Sequence, residues 1–254
     1  MIQTVDTRDF SMRYIKFGSG GRVLAVIPGL SVKSVLMSED QITAAYDVFA
    51  RDFTVYLFDR RLGMPENYTI RDMAADTAAA MKALGIERAD VFGVSQGGMI
   101  AQFIAIDHPE LVRRLVLGST SPHAVRTVAP VPREKAREAA LSFLSALYSD
   151  DFIKKAAPGF DPTDVELTEE ELDRFAVSLR ASDGFDAYGE LGGIKCPTLV
   201  IGAIGDKIIP PQGSLDIARA LDCELYMYGA PYGHAVYDEA PDYKNRIYSF
   251  LMRD

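Results

Sequence analysis

Six short, nearly continuous apolar runs constrain this chain more than any other feature. They are "RVLAVIPG" from Arg22, "FTVYLFD" from Phe53, "ADVFGV" from Ala89, "RRLVLGST" from Arg113, "PTLVIGAIGD" from Pro197 and "CELYMYGA" from Cys223. A strand with one wet face alternates apolar and polar residues. Runs that do not alternate belong to strands covered on both faces, as in a parallel sheet between two layers of helices. Helical patterns separate the runs. "TIRDMAADTAAAMKALG" sets Ile70, Met73, Ala74, Thr77, Met81 and Leu84 on one face and stops at Gly85. "SQGGMIAQFIAIDHP" is apolar nearly all round, as expected of a helix packed at the centre of the sheet. The predicted fold is a doubly wound α/β domain with a mostly parallel, twisted sheet and helices on both faces.

From about Ser121 to Tyr188 the rhythm changes. "VPREKAREAALSFLSALYSDDFIKKAAPGF" and "LTEEELDRFAVSLRASDGFDAY" read as helices with no strand between them, punctuated by Pro130, Pro132, Pro158 and Pro162. Thr168 with Glu171 forms a capping box and marks a helix start. The chain therefore divides into an α/β core, residues 1–121 and 189–254, and an all-helical insertion, residues 122–188.

Composition removes several function classes. The formal net charge of -9 at pH 7, with no clustered Lys and Arg, argues against nucleic acid as a partner. The N-terminal "MIQTVDTRDFSMRYIKFGSGG" has Asp6, Arg8 and Asp9 where a signal peptide needs a basic start and an apolar core. No apolar run approaches the roughly 18 residues of a membrane span. A soluble, cytoplasmic protein is expected. Cys196 and Cys223 lack metal-ligand spacing and read as buried free thiols.

The stretch "GVSQGG", Gly93 to Gly98, lies between an apolar strand pattern and an apolar helix pattern. A flexible turn, a phosphate-cradling loop and a sharp turn presenting a nucleophile all compete for it. It lacks Gly-x-Gly-x-x-Gly and Gly-Lys-Ser/Thr, the signatures of the phosphate loops. In a Gly-x-Ser-x-Gly elbow the serine takes a strained backbone, and very small residues are needed two positions before and after it, where Gly93 and Gly97 stand. A second glycine cluster, "FGSGGR" around Gly18 to Arg22, fits a hairpin turn between the first strands and is given no function.

A serine hydroxyl needs a base to take its proton and a third group to orient that base. Of three histidines, His108 precedes Pro109, His123 follows a strand in "TSPHAV", and His234 lies in the loop "GAPYGHAVYDEAP" after the last strand. His108 and His123 read as structural, with His123 also placed to line a pocket entrance. Loops at the carboxyl ends of parallel strands are where such sheets gather their sites.

The order Ser95, then Asp206 in "IGAIGDKIIPP", then His234, each after an apolar run, resembles the α/β-hydrolase superfamily over nearly the whole chain. "HPELVRRLVLGSTSP" and "IKCPTLVIGAIGDKIIPP" match as well. The resemblance implies a lidded serine hydrolase in which His234 deprotonates Ser95 and Asp206 orients His234. Asp183 and Asp186 are rival orienting acids. The oxyanion hole takes one backbone NH from Gln96, next to the nucleophile. By resemblance it takes the other from Leu30. Two departures stand out: Pro28-Gly29 replaces the usual His-Gly, and "FDRRLGMPENY" replaces Asp-x-Arg-Gly-x-Gly-x-Ser. The helical insertion looks like the lid, with Phe143, Leu144, Leu147, Tyr148, Phe152, Phe175, Leu179 and Phe185 forming its core or the pocket lining. His123, Phe143, Leu147, Tyr148 and Phe175 are the candidate substrate-binding residues. The expected reaction is hydrolysis of a small or medium carboxylic ester through an acyl-enzyme, with a small-molecule ester-like partner and no metal or organic cofactor. Carbon–carbon bond hydrolysis, lactone opening, proline iminopeptidase activity and slow-turnover ligand reception are the alternatives that the same fold allows.

Overall fold

The computed structural model describes residues 1–124 and 131–253; Pro130 lies outside them. Eight strands form one sheet: β1 (Gln3–Asp6), β2 (Ser11–Phe17), β3 (Arg22–Ile27), β4 (Phe53–Arg61), β5 (Ala89–Val94), β6 (Val112–Gly118), β7 (Thr198–Ala203) and β8 (Glu224–Tyr228). Their spatial order is β1-β2-β4-β3-β5-β6-β7-β8. β1 and β2 run antiparallel to their neighbours, and every pairing from β4 to β8 is parallel. All six apolar runs are strands of this parallel part. β5 and β7 are buried along their whole length, which is what unbroken apolar sequence predicts.

Nine α-helices lie among the described residues: α1 (Glu39–Ala45), α2 (Ile70–Ala83), α3 (Gln96–Asp107), α4 (Ala136–Leu147), α5 (Asp150–Ala156), α6 (Glu169–Asp183), α7 (Pro211–Leu221), α8 (Val236–Glu239) and α9 (Tyr243–Leu251). Successive residues of β3 serve opposite layers: Ala25 and Ile27 pack with α2, α3 and α7, whereas Leu24 and Val26 pack with Phe49, Tyr243 and Ile247. β3 thus anchors two cores at once, as do β2, β4, β5, β6 and β7, the period-two geometry of a strand in a three-layer sandwich. A third cluster joins α4 to α6 through Ala136, Ala140, Leu172, Phe175 and Leu179. The helices between β6 and β7 therefore have a core of their own.

The local signals hold where they are strongest. Thr168 and Glu171 make the reciprocal capping box at the start of α6, and Thr69 with Asp72 makes another at α2. Two expectations are corrected. Gly18–Arg22 is not a hairpin turn, because β4 lies between β2 and β3. Instead the loop steps across the start of β4: Ser19 N donates to Ala50 O, and a β-carbon on Gly20 would lie 1.9 Å from the Asp52 carbonyl carbon. The half-wet β2 suits a position near the sheet's margin, while β3, apolar after Arg22, takes the interior. The thiols of Cys196 and Cys223 are half-buried rather than buried, since each sits just outside its strand, and desolvation still pushes both upward. No described helix is long and apolar enough to cross a membrane.

Candidate active site

The carboxyl ends of β3, β5, β7 and β8 converge on one place. Ser95 follows β5 directly and has φ 56 and ψ -125, a strained conformation for a residue with a side chain. The surroundings enforce it. Ser95 N donates to Gly118 O at 2.8 Å, and Thr120 Oγ1 donates to Ser95 O at 2.8 Å. A β-carbon on Gly97 would stand 2.0 Å from Ile27 O, and one on Gly93 2.3 Å from Gly97 O. Only glycine lets β5 turn into α3 this tightly against the end of β3.

His234 reaches the same point from the loop after β8. Its Nε2 lies 2.8 Å from Ser95 Oγ, and its Nδ1 lies 2.7 Å from Asp206 Oδ2. Asp206, in the loop after β7, accepts Ile208 N and Ile209 N on Oδ1, both at 2.9 Å. That leaves Oδ2 facing the imidazole. The side chains of His234 and Asp206 are 1% and 2% exposed, so this ion-pair geometry is shielded from water. The loop holding His234 is tied down in turn: Gly233 N donates to Glu239 Oε2 at 3.1 Å, and Ser149 N donates to Glu239 Oε1 at 2.6 Å. The rival acids lie elsewhere. Asp183 ends α6, and Asp186 Oδ1 accepts Tyr188 N at 2.9 Å.

Leu30 and Gln96 flank the serine. Gly29 runs so close that a β-carbon there would lie 3.0 Å from Ser95 Cβ. Gln96 opens α3, whose positive end points at the site. Neither Leu30 N nor Gln96 N donates in the backbone hydrogen bonds of the described residues. Beneath them Arg60, 5% exposed, donates from Nη2 to Pro28 O at 2.8 Å and to Gln96 Oε1 at 3.1 Å. Burial pushes its guanidinium down to about 10, which leaves it cationic at neutral pH.

A cavity of about 530 Å³ opens over Ser95. Of the candidate substrate-binding residues Phe143 and Phe175 line it, and Leu30 and Gln96 line it beside the serine. Leu147, Tyr148 and His123 are outside that lining. Tyr148 instead stacks on Phe152 at 5.0 Å, and the exposed His123 packs edge-on to Tyr188 at 6.3 Å. Sequence reasoning missed Met99, Ala139, Ala146, Ile208 and Ile209 in the wall. Met99 carried a signal, since it stands one helical turn after Ser95 on α3; Ile208 and Ile209 follow Asp206 immediately.

Residues 25–241 match the alpha/beta hydrolase fold family. RutD of Pseudomonas syringae, which bears the name of a carbamate hydrolase, is 28% identical over 207 residues, 74% of this chain and 79% of that protein. A 2-hydroxy-6-oxononadienedioate/2-hydroxy-6-oxononatrienedioate hydrolase from a Pseudomonas species is 29% identical over 216 residues, 75% of each chain. Among solved structures, the enol-lactonase of Burkholderia xenovorans superimposes with a TM-score of 0.83 at 20% identity, covering 99% of this chain and 100% of that one. That likeness is one of fold.

Proposed function

The chain belongs to the α/β-hydrolase family, and from that premise we propose that it is a serine hydrolase cleaving a small or medium uncharged carboxylic ester through an acyl-enzyme on Ser95. One observation carries the reading: Ser95 Oγ stands 2.8 Å from His234 Nε2 at the floor of the 530 Å³ cavity.

His234 takes the Ser95 proton as Oγ attacks the ester carbonyl. The backbone NH groups of Leu30 and Gln96 receive the negative oxygen of the tetrahedral intermediate. His234 then returns the proton to the leaving alcohol. Water deprotonated by the same imidazole releases the acid, while Asp206 holds the tautomer of the neutral ring and stabilises the imidazolium each time it forms. These steps need neither a metal nor an organic cofactor. The helices between β6 and β7 serve as a lid, with α4 and α6 contributing Ala139, Phe143, Ala146, Phe175 and Leu179 to the wall.

The relatives' names differ in the bond that is broken, so the substrate is argued from the wall. Its apolar area is contributed by Leu30, Met99, Phe143, Phe175, Ile208 and Ile209, and its charged members, Lys135 and Glu138, are both exposed. A dianionic dienoate would need buried cations to replace its hydration; a neutral acyl chain needs only apolar contact. The test is a panel of p-nitrophenyl esters of increasing acyl length, lactones and ring-cleavage dienoates. Highest kcat/KM on neutral esters is expected. Preference for a dienoate would assign carbon–carbon hydrolysis, preference for a lactone would assign ring opening, and a single slow turnover would assign ligand reception.

A further inference from the structure

Helix α6 packs through Leu172, Phe175, Ala176 and Leu179, yet Arg174, Ser178 and Ser182 recur on it every four residues. That spacing stacks them on one side of the helix. Arg174 and Ser182 meet polar groups around the serine through their side chains, and Ser178 does so through its backbone carbonyl. Arg174 pairs with Asp59 near the end of β4, and Asp59 Oδ2 also accepts Ser34 Oγ at 2.6 Å. Gln96 Nε2 donates to Ser178 O at 2.7 Å and to Ser182 Oγ at 2.8 Å. On its other side Gln96 Oε1 accepts Arg60 Nη2, the nitrogen that also holds Pro28 O. A single amide, 2% exposed, thus links α6, the start of α3 and the loop that carries Leu30.

Burying an amide costs free energy that its hydrogen bonds only partly offset, and an apolar side chain of the same length would fill the space without that cost. What the amide supplies instead is fixed geometry, because its oxygen is held from β4 by Arg60 and its NH2 from α6 by Ser178 O and Ser182 Oγ, which leaves it one orientation. We infer that the Gln96 side chain is a positioning residue: it holds the two oxyanion-hole NH groups in register, one through its own backbone and the other through Arg60 and Pro28. The inference rests on the serine-hydrolase reading. It makes α6 a structural part of the oxyanion hole as well as a wall of the pocket.

Gln96→Met keeps the volume and removes the amide. Loss of one oxyanion donor costs about 10²–10³ in kcat. Loosened positioning should cost less, about 10- to 100-fold, because both NH groups remain. The assay is kcat and KM on a neutral p-nitrophenyl ester, with active sites counted by fluorophosphonate titration. The expected result is that fall in kcat per titrated site with little change in KM. A merely structural role would lower the melting temperature and the titratable fraction while leaving kcat per site alone. Ser182→Ala, a milder change on the half-buried end of the ladder, should lower kcat per site several-fold, and the double variant should be no slower than Gln96→Met. Wild-type kcat per site in Gln96→Met, or in Ser182→Ala where Gln96→Met does not fold, overturns the inference while leaving the serine-hydrolase reading intact. A wild type that neither labels at Ser95 nor turns over esters overturns both.

Discussion

Asp206→Asn tests the orienting acid, because the surrounding bonds dictate how the new amide must sit. Asp206 Oδ1 accepts two backbone NH groups, from Ile208 and Ile209, at 2.9 Å each, and Oδ2 meets His234 Nδ1 at 2.7 Å. An asparagine has one accepting oxygen. Turned to satisfy the two NH groups, it directs its NH2 at Nδ1, so the ring must carry its proton on Nε2, facing Ser95. A ring in that tautomer cannot take the serine proton. Turned the other way, the amide sets NH2 against two buried NH donors, at about 1–3 kcal/mol for each donor left unpaired. The wrong tautomer therefore prevails, and kcat should fall by about 10⁴, which is roughly 5 kcal/mol on the barrier. Stability should change little, since all three hydrogen bonds persist in the first orientation. The measurement is kcat per titrated site on a p-nitrophenyl ester, beside Asp183→Asn and Asp186→Asn, with circular dichroism and melting temperature as folding controls. The last two should keep near-normal rates. A well-folded Asp206→Asn with normal kcat, beside a collapse in either of the others, would refute the tautomer argument and move the acid to the end of α6.

The remaining expectations concern the elbow and the cavity. Ser95→Ala should abolish fluorophosphonate labelling and lower kcat by about 10⁶; equal labelling of wild type and variant would exclude Ser95 as the nucleophile. Gly97→Ala drives a β-carbon to 2.0 Å from Ile27 O and 2.5 Å from Pro28 O, both backbone atoms. It should cost at least about 1–3 kcal/mol, read as a lower melting temperature, together with most of the activity; an unchanged variant would contradict the packing described. Ala139→Phe puts a ring into the cavity from α4. It should raise the ratio of kcat/KM on butyrate to that on octanoate esters by at least about tenfold, and an unchanged ratio would place the acyl chain elsewhere.

The elbow was legible because its requirements are local: a strand pattern, two glycines at fixed offsets and a helix pattern lie in the one stretch from Ala89 to Asp107. The parallel strands were legible for the same reason, since burial on both faces leaves its trace in each run separately. The order of β2, β4 and β3 was not, because a glycine loop that turns a hairpin and one that steps past a third strand look alike in sequence. A Pro-Pro pair does not by itself mark a helix, yet Pro211 is the first residue of α7, where a missing NH costs nothing. The Gln96 ladder had no local signature at all. Arg60, Gln96 and Ser182 meet only because β4, α3 and α6 converge; Arg60 and Ser182 taken alone read as ordinary surface or turn residues, and for Gln96 the sequence points to the backbone NH and not to the side chain.

That convergence bears on how specificity can change in this chain. The helical segment touches both halves of the proposed machinery. α6 reaches the oxyanion side through Gln96, and the turn between α4 and α5 reaches the base side, where Ala235 N donates to Leu147 O at 2.9 Å and Glu239 bridges Ser149 N to the His234 loop. A substitution at these junctions acts on the geometry of the transition state and should register in kcat. Ala139 lines the cavity and lies off both junctions, so substitutions there alter contacts with the acyl chain and should register mainly in KM and chain-length preference. Substrate range is therefore separable from catalytic power in the middle of α4, around Ala139, but neither at its Leu147 end nor along the Arg174–Ser178–Ser182 side of α6.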